Sequence, residues 1–215
     1  MVLDKNSVYD LLYSLKPLHY EVVFLFKNIF NKMEKLIWKK WNRETIDDIN
    51  QYVLNYVKNV DRNVKIIVGC DSHPHRRRLV YAVTIILYNE SLRKGGHVVY
   101  AKVKIPRLRD VGAKIRKEAE FVYTVAESLD KTLRGTYYYK FDRNTYDNMI
   151  PTKLVEVHVD VNPKKSTRNG RKYSNILSND VYQEVMGWLC GSGFKVYAKP
   201  HAYGATGSAD KLSKC

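Results

Sequence analysis

The sequence has little cysteine and no long apolar run, and both absences narrow the class of protein. It contains three cysteines in 215 residues, an odd number with no Cys-X-X-Cys pair. A disulfide framework and a structural zinc site are therefore not expected, and a reducing compartment fits. No apolar run reaches the roughly 18 residues of a membrane-spanning helix. Met1 to Asp10 lacks the basic-then-apolar order of a signal peptide. We expect a cytoplasmic protein.

Acidic residues are scarce relative to basic ones. Asp and Glu total 22 against 37 Lys and Arg, which leaves a formal net charge of +15. A surplus of this size favours a polyanionic partner, and nucleic acid is the commonest one. The alternative is a basic protein that is only highly soluble. The chain length suits one sizeable α/β domain with an extension, not two full domains.

The first sixty residues have the periodicity of helices. Apolar side chains recur every three or four residues along one predicted helix face, at Val22, Phe26, Phe30, Met33, Ile37 and Trp41. A second predicted helix, Thr45 to Val60, has its own stripe at Ile46, Ile49, Val53 and Val57. We interpret residues 1–60 as an N-terminal helical extension and residues 61–215 as the main domain. The stripes are expected to dock on that domain, with a homodimer contact or a membrane-surface helix as alternatives.

After residue 60 the pattern becomes that of strands. Lys65 to Asp71 and Leu79 to Tyr88 are apolar runs, typical of strands covered on both faces. His97 to Ile105 has one mostly polar face, which suits an edge strand. Two further strands are predicted at Leu154 to Val161 and Phe194 to Ala198.

Three helices are interleaved with these strands. The first has a buried stripe at Ile115, Ala119, Val122, Ala126 and Leu129, and the second at Val181, Val185, Trp188 and Leu189. Gly191 and Gly193 stop the second helix, and a short last helix begins at about Ser208. The order is β-β-β-α-β-α-β-α, with three antiparallel strands followed by two parallel α/β units. This arrangement predicts an α/β protein of the RNase H-like fold with a mixed five-stranded sheet.

Four carboxylates fall where this topology gathers side chains. Asp71 closes the first strand, and Asp160 lies near the end of the fourth. These strands are expected to be parallel neighbours, so their carboxyl ends meet. Glu118 borders the buried stripe of the first helix, whereas Glu120 is rotated toward solvent, and Asp210 begins the last helix. Taken singly, each acid also fits a turn, a solvated helix position or a helix cap.

Several carboxylates at close range need compensation. Two of them about 4 Å apart repel by roughly 4 kcal/mol at an effective dielectric near 20. A site that holds several must protonate some or bind cations, and hard oxygen ligands suit Mg²⁺ or Mn²⁺. Two such ions can activate a water on one side of a phosphodiester and stabilise the leaving oxygen on the other.

Three motifs carry a resemblance to a known family. Val68-Gly-Cys-Asp-Ser-His73, Val157-His-Val-Asp-Val-Asn162, and Lys199-Pro-His-Ala-Tyr203 followed by Ala209-Asp210 resemble the YkuK-type family of RNase H-like proteins. The resemblance covers roughly Trp41 to Lys211. It implies that Asp71, Asp160 and Asp210 are metal ligands and that Glu118 is the helix acid of the same metal site, with Glu120 as the competing position; all four acids are the predicted metal-binding and catalytic residues. It implies the fold more strongly than the activity.

Basic residues are predicted to surround the acids. Arg76, Arg77 and Arg78 follow Asp71, and a loop after Asp160 carries Lys164, Lys165, Arg168, Arg171 and Lys172. Both loops are expected at the same end of the sheet, where they would hold a phosphate backbone. Ordinary solvated loops are the alternative. Lys199 is a candidate phosphate contact or a solvated lysine.

Other side chains have competing interpretations. His73 and His158 fit either ligand-orienting or structural roles, and structural hydrogen bonding is the commoner one. Tyr137, Tyr138 and Tyr139 fit base stacking or an inserted strand. Cys70 is interpreted as a small buried residue.

The sequence therefore predicts a metal-dependent nuclease that hydrolyses RNA, DNA or a hybrid with two Mg²⁺ or Mn²⁺ ions. A nuclease like the RuvC group, which resolves junctions as a dimer, is one alternative. A nucleic-acid-binding module that keeps the fold but cuts slowly or not at all is another. No membrane partner is expected.

Overall fold

The computed structural model describes residues 36–60, 64–89, 96–137, 153–161, 166–168, 171–173 and 176–214. Within these ranges, residues 135–137, 166–168, 171–173 and 176–180 are described by their backbone alone. The predicted apolar stripe from Val22 to Met33, and the dimer contact assigned to it, lie outside the described residues.

From β3 onward, the main strands and helices follow the order that the sequence predicts. Two short strands and one helix precede them. In chain order they are β1 (Trp38–Lys40), β2 (Thr45–Ile46), α1 (Ile49–Asn59), β3 (Val64–His75), β4 (Arg78–Asn89), β5 (His97–Pro106), α2 (Val111–Tyr137), β6 (Val155–Val159), β7 (Ser166–Arg168), β8 (Arg171–Tyr173), α3 (Ile176–Gly191), β9 (Lys195–Tyr197), a π-helix (Gly204–Ala209) and α4 (Asp210–Lys214).

The main sheet has seven strands in the order β2-β1-β5-β4-β3-β6-β9. Strands β3, β4 and β5 are antiparallel neighbours, and β6 and β9 run parallel to β3, as the fold prediction requires. The prediction of five strands was wrong in number because β1 and β2 extend the sheet beyond β5. For the same reason β5 is not an edge strand: Trp38 pairs with Ala101, and Lys40 with Val99.

The central strands are apolar on both faces because both faces are covered. Ile67 and Val68 of β3 and Val83 and Ile85 of β4 have no exposed surface. Helix α2 packs on β3, and the π-helix and α4 pack on both β3 and β4. Side chains along a strand alternate between faces. Each residue of β3 therefore points toward either α2 or α4.

The second predicted N-terminal helix is shorter than expected. Helix α1 begins after Asp48, whose carboxylate accepts a hydrogen bond of 3.0 Å from the Gln51 N–H. Its predicted apolar stripe is buried, and α1 packs on α2. The helical prediction failed at Ile37 and Trp41, which flank strand β1. Residues of a short strand can share a helical spacing by coincidence, and pairing with β5 decides the outcome.

Two other predicted segments differ from the structure. Helix α2 continues to Tyr137, where a loop was expected from Gly135, and residues 138–152 lie outside the described part of the chain. The predicted basic loop contains a two-stranded ribbon, in which β7 pairs with β8. The Asn169-Gly170 pair in that segment is typical of such hairpins. Within the described ranges, no helix combines the length and apolar character needed to cross a membrane.

Candidate active site

Two of the predicted acids meet at the carboxyl end of adjacent parallel strands. Strands β3 and β6 are paired in register up to Cys70 and Val159. Asp71 is the next residue of β3 and Asp160 directly follows β6, so the register places them side by side. The sequence predicted that this strand ends at Asp71. Strand β3 instead continues four residues to His75, because β4 pairs with it as far as the hairpin turn.

Asp71 points to the face of the sheet that carries α4. Its carboxylate Oδ2 accepts a hydrogen bond of 3.1 Å from the Ser213 hydroxyl of α4. Its cross-strand neighbour, Ala82, lies on the same face, in the apolar cluster with Leu212. Asp71 is only 6% exposed, so this contact holds a carboxylate that is largely shielded from water.

Glu118 approaches β3 from the opposite face. Ser72 follows Asp71 and therefore points away from it, and its hydroxyl donates a hydrogen bond of 2.6 Å to Glu118 Oε1. Glu118 is 4% exposed, whereas Glu120 is partly exposed and pairs with Lys117. The helix phase thus directs Glu118, and not Glu120, toward the strand that carries Asp71.

Asp210 begins α4, on the same face as Asp71. The Ser213 hydroxyl lies 2.9 Å from the Asp210 carbonyl oxygen as well as near the Asp71 carboxylate, which ties the first turn of α4 to β3. Burial raises the pKa of the Asp71 carboxyl, and the negative charge of Asp160 raises it further. The hydrogen bond from Lys214, by contrast, lowers the pKa of Asp210.

Glu118 shares in this electrostatic coupling although it lies on the other face. Burial raises the pKa of Glu118 to about 7, against the opposing effects of the Lys114 ammonium and the Ser72 hydroxyl. The charges of Asp71 and Asp160 also raise this pKa. The four predicted acids therefore form one electrostatically coupled group, with three on one face of the sheet and the fourth behind it.

Lysine ammonium groups neutralise three of the four acids. Lys114 lies 3.5 Å from Glu118, Lys214 lies 2.7 Å from Asp210, and Lys199 forms an ion pair with Asp160. Two of these pairs join residues four apart on a helix, and the third joins the segments that follow β6 and β9. These ammonium groups lower the repulsion that four adjacent carboxylates would otherwise create.

The donor set suits a hard divalent cation, but the arrangement is not a ready-made metal site. Aspartate oxygens from three different elements lie on one face, which is the chemistry that Mg²⁺ and Mn²⁺ prefer. Among the described residues, however, no three histidine, cysteine or carboxylate side chains are grouped closely enough to hold a metal ion. Metal binding stays a prediction.

The predicted phosphate contacts lie in separate segments of the chain, and their role stays a prediction. Arg76 and Arg77 form the turn between β3 and β4, with Arg76 at a φ of 55°. At about 3.4 Å per strand residue, Arg76 lies some 17 Å along β3 from Asp71. Arg168, Arg171 and Lys172 belong to the β7–β8 ribbon, described by its backbone alone, and Lys164 and Lys165 lie outside the described residues.

The sequence of this fold matches one family model. A model described as Ribonuclease H-like matches residues 44–214, most of the chain. The chain belongs to this ribonuclease H-like family, the YkuK family. No curated protein and no solved structure matches the chain. Membership confirms the family resemblance of the three motifs and associates the chain with nucleic-acid-related, nuclease-like modules.

Several residues that contact the four acids were not predicted from the sequence. Lys114 and Lys214 are each four residues from an acid, and this helical spacing could have indicated the pairs. Ser72 directly follows Asp71 in the sequence. Ser213 had no comparable signal, because its contact with Asp71 joins residues 142 positions apart.

His158 has a structural role in the fold. It is fully buried, and its Nδ1 accepts a hydrogen bond of 3.1 Å from the Gly204 N–H, the first residue of the π-helix. Burial lowers the pKa of His158 to about 4. The neutral imidazole therefore anchors the segment that leads to Asp210. Cys70 is buried as predicted, and burial raises the pKa of its thiol.

Proposed function

We propose that the protein is a divalent-metal-dependent nuclease whose ligands are Asp71, Asp160 and Asp210, with Glu118 assisting from behind β3. The observation that carries the proposal is that three aspartates, from β3, from the position after β6 and from α4, lie on one face of the sheet. Two of the four acids, Asp71 and Glu118, are buried and have raised pKa values, which is typical of sites that bind cations or move protons.

The chemistry follows from the residues around the acids. Bound Mg²⁺ or Mn²⁺ would supply an activated water and stabilisation of the leaving oxygen during phosphodiester hydrolysis. The chain itself provides oxygen ligands, and the Ser213 hydroxyl orients Asp71 toward α4. Lys199 pairs with Asp160 and Lys214 with Asp210, so each stands beside an acid and can turn to a substrate phosphate.

The proposal is tested with labelled single-stranded, duplex, hybrid and branched nucleic acids in Mg²⁺, Mn²⁺ or EDTA. Wild type is expected to cut at least one of them with metal and none in EDTA. Asp71→Asn should abolish cutting because it removes a ligand charge while preserving shape. The matched control is Asp48→Asn, which changes an exposed helix cap remote from the site. Cutting by Asp71→Asn protein at the wild-type rate would show that the site is wrong.

A second candidate is a nucleic-acid-binding module without efficient catalysis. It is favoured by one observation: Glu118, Asp160 and Asp210 each already have a lysine ammonium as counterion. A metal ion must displace or outcompete these ammonium groups. The response of the protein to metal, treated in the Discussion, separates the two candidates.

A further inference from the structure

A pocket of about 960 Å³ lies on the face of the sheet that carries α4. Tyr100 and Lys102 of β5 and Lys39 of β1 contribute to its floor, and Leu212 of α4 to its wall. The pocket lies between β5 and α4 because Tyr100 of β5 and Leu212 of α4 belong to the same apolar cluster. We call this the basic pocket.

The basic pocket is continuous with the candidate active site. Lys214 lines the pocket and also pairs with Asp210 at 2.7 Å. Asp71, Ala82 and Lys102 form one cross-strand row, because Asp71 pairs with Ala82 and Ala82 with Lys102. At about 4.8 Å between strands, Lys102 and Asp71 are some 10 Å apart between Cα atoms. A chain that lies in the pocket therefore leads to the acids.

The pocket has the charge of a polyanion site. Five of its lining residues are cationic: Lys39, Arg43, Lys102, Lys211 and Lys214. None of the nine described residues that line it is acidic. A concave surface lined by one sign of charge concentrates ligands of the opposite charge. The phosphate backbone of a nucleic acid fits this surface, and a membrane is not needed to explain it.

The pocket also presents an aromatic ring to solvent. Trp41 is 62% exposed, next to Ile37, which is 65% exposed. Trp41 is positioned by a hydrogen-bonded turn, in which the Lys40 N–H donates to the Glu44 carbonyl at 2.8 Å and the Arg43 N–H to the Lys40 carbonyl at 2.9 Å. Bases stack on such rings only when they are unstacked from their neighbours, as in single strands. In a duplex the base faces are covered.

We propose that the basic pocket binds single-stranded nucleic acid, with a base stacked on Trp41 and phosphates held by Lys39 and Lys102. The strand then passes Lys214 and reaches the acids. This inference names the substrate class of the proposed nuclease. It rests on the proposed function only where the bound strand is said to reach the acids for cleavage. It differs from the predicted contacts on the β7–β8 ribbon and the β3–β4 turn.

Binding in EDTA tests the pocket without requiring cleavage. Affinity is measured by fluorescence anisotropy with labelled single-stranded and duplex oligonucleotides over a range of salt concentrations. Wild type should prefer the single strand. Trp41→Ala should weaken that binding about tenfold, and Trp41→Phe, which keeps a stacking ring, should restore most of it. Trp188→Ala, which removes a partly exposed tryptophan of α3, is the matched control.

The charge contribution is tested by a double variant. Each lysine that neutralises a phosphate of a single strand contributes about 0.7 to the slope of log affinity against log salt. The double variant Lys39→Gln with Lys102→Gln should therefore reduce the magnitude of this slope by about 1.4. Lys58→Gln with Lys131→Gln removes the same charge from exposed positions on α1 and α2 and should leave the slope nearly unchanged. Melting curves check that each variant is folded.

Three outcomes would overturn the inference. Trp41→Ala and the Lys39, Lys102 double variant could bind single strands as wild type does. Wild type could bind duplex more tightly than single strand. Trp41→Ala could change the oligomeric state with affinity unchanged, which would identify a second copy of the chain as the occupant. None of these depends on cleavage. The proposed function fails separately, if wild type with metal cuts no substrate or Asp71→Asn cuts like wild type.

Discussion

The protonation state of Asp71 depends on opposing contacts of single residues. Burial and the charge of Asp160 favour its neutral form, and the hydrogen bond from Ser213 favours its charged form. A hydroxyl carries one proton, so Ser213 can donate to the Asp71 carboxylate or to the Asp210 carbonyl, but not fully to both. Ser213 is therefore one of the residues that tune the charge of the Asp71 carboxyl.

We expect Ser213→Ala to raise the pKa of Asp71 further. The loss of a buried hydrogen bond should lower the free energy of unfolding by about 1–2 kcal/mol. Because metal binding needs the carboxylate, the acid limb of the pH–rate profile should move to higher pH. Ser128→Ala is the control, since it removes a partly buried hydroxyl bonded to Asn50 and remote from the acids. An acid limb that is unchanged in Ser213→Ala would contradict the assignment.

At the scale of elements, the close approach of β3 and the π-helix positions α4. A Cβ atom added at Gly69 would lie 2.6 Å from the Gly204 carbonyl carbon and 2.7 Å from the Ala205 nitrogen. The Thr84 hydroxyl lies within hydrogen-bonding distance of both the Gly69 and Gly204 carbonyls, at 3.3 and 3.2 Å. A glycine is thus required because backbone meets backbone, and Asp210 follows directly from the segment held there.

Gly69→Ala should therefore be strongly destabilising. The added methyl group meets backbone atoms that cannot rotate away, and overpacking of this kind costs about 1–3 kcal/mol or more. Denaturant unfolding measures the loss, and cleavage should fall because α4 is displaced. Gly187→Ala is the control, since its Cβ would meet nothing within 4 Å. Alanine in helix α3 should stabilise the protein slightly. Equal stability of the two variants would refute the close-packing argument.

His158 gives the same segment a pH dependence. Its pKa is about 4 in the folded protein, against about 6.5 in an unfolded chain. A base with a lowered folded pKa stabilises the fold fully above the unfolded pKa. That stability is lost as the pH falls from about 6.5 toward 4. The loss should reach the order of 2–3 kcal/mol near pH 4.

The variant that tests this dependence is His158→Asn. Asparagine can accept the Gly204 N–H but cannot take up a proton in this range. The free energy of unfolding should then fall less steeply between pH 6.5 and 4.5 than in wild type, although a cavity lowers it overall. His201→Asn, at an exposed position, should keep the wild-type slope. A His158→Asn protein with the wild-type slope would assign the acid sensitivity to other groups.

At the scale of the whole molecule, the fold combines a family core with surrounding additions. The family model begins at residue 44, whereas β1 and the exposed Trp41 precede it. The floor and rim of the basic pocket are therefore partly built by residues outside the family match. The net charge of +15 acts over the whole chain and favours a polyanionic partner at any surface.

Mn²⁺ should stabilise the whole protein if the acids form a metal site. A ligand that binds only the folded state adds about 2.7 kcal/mol at a hundredfold excess over its Kd. For a chain of this size that corresponds to roughly 5–10 °C in melting temperature. Sodium chloride of equal ionic strength should not reproduce the shift. Asp71→Asn should lose most of the response, and Glu120→Gln should keep it because Glu120 pairs with Lys117, away from Asp71. A folded wild-type protein with no Mn²⁺ shift would favour the non-catalytic binding module.

Much of the core fold and the pairing of two acids follow from the sequence alone. Apolar runs without alternation marked β3 and β4 as covered on both faces, and the order of strands and helices predicted β6 beside β3. The closeness of Asp71 and Asp160 follows from that pairing, because the carboxyl ends of neighbouring parallel strands lie side by side whatever the side chains there are. The helical period likewise directed Glu118, and not Glu120, toward the core.

Tertiary packing decided what local patterns do not contain. A three-residue strand such as β1 has too few residues to show a period, and only its pairing with β5 takes Trp38 out of the predicted helix. The face on which Glu118 lies depends on the packing of α2 against β3, where Ser72 contacts it, and Asp71 contacts Ser213, far away in the chain. The basic pocket likewise exists only because β1, β5 and α4 meet. Contacts between residues distant in sequence leave no periodic pattern, so they emerge only when the chain is folded.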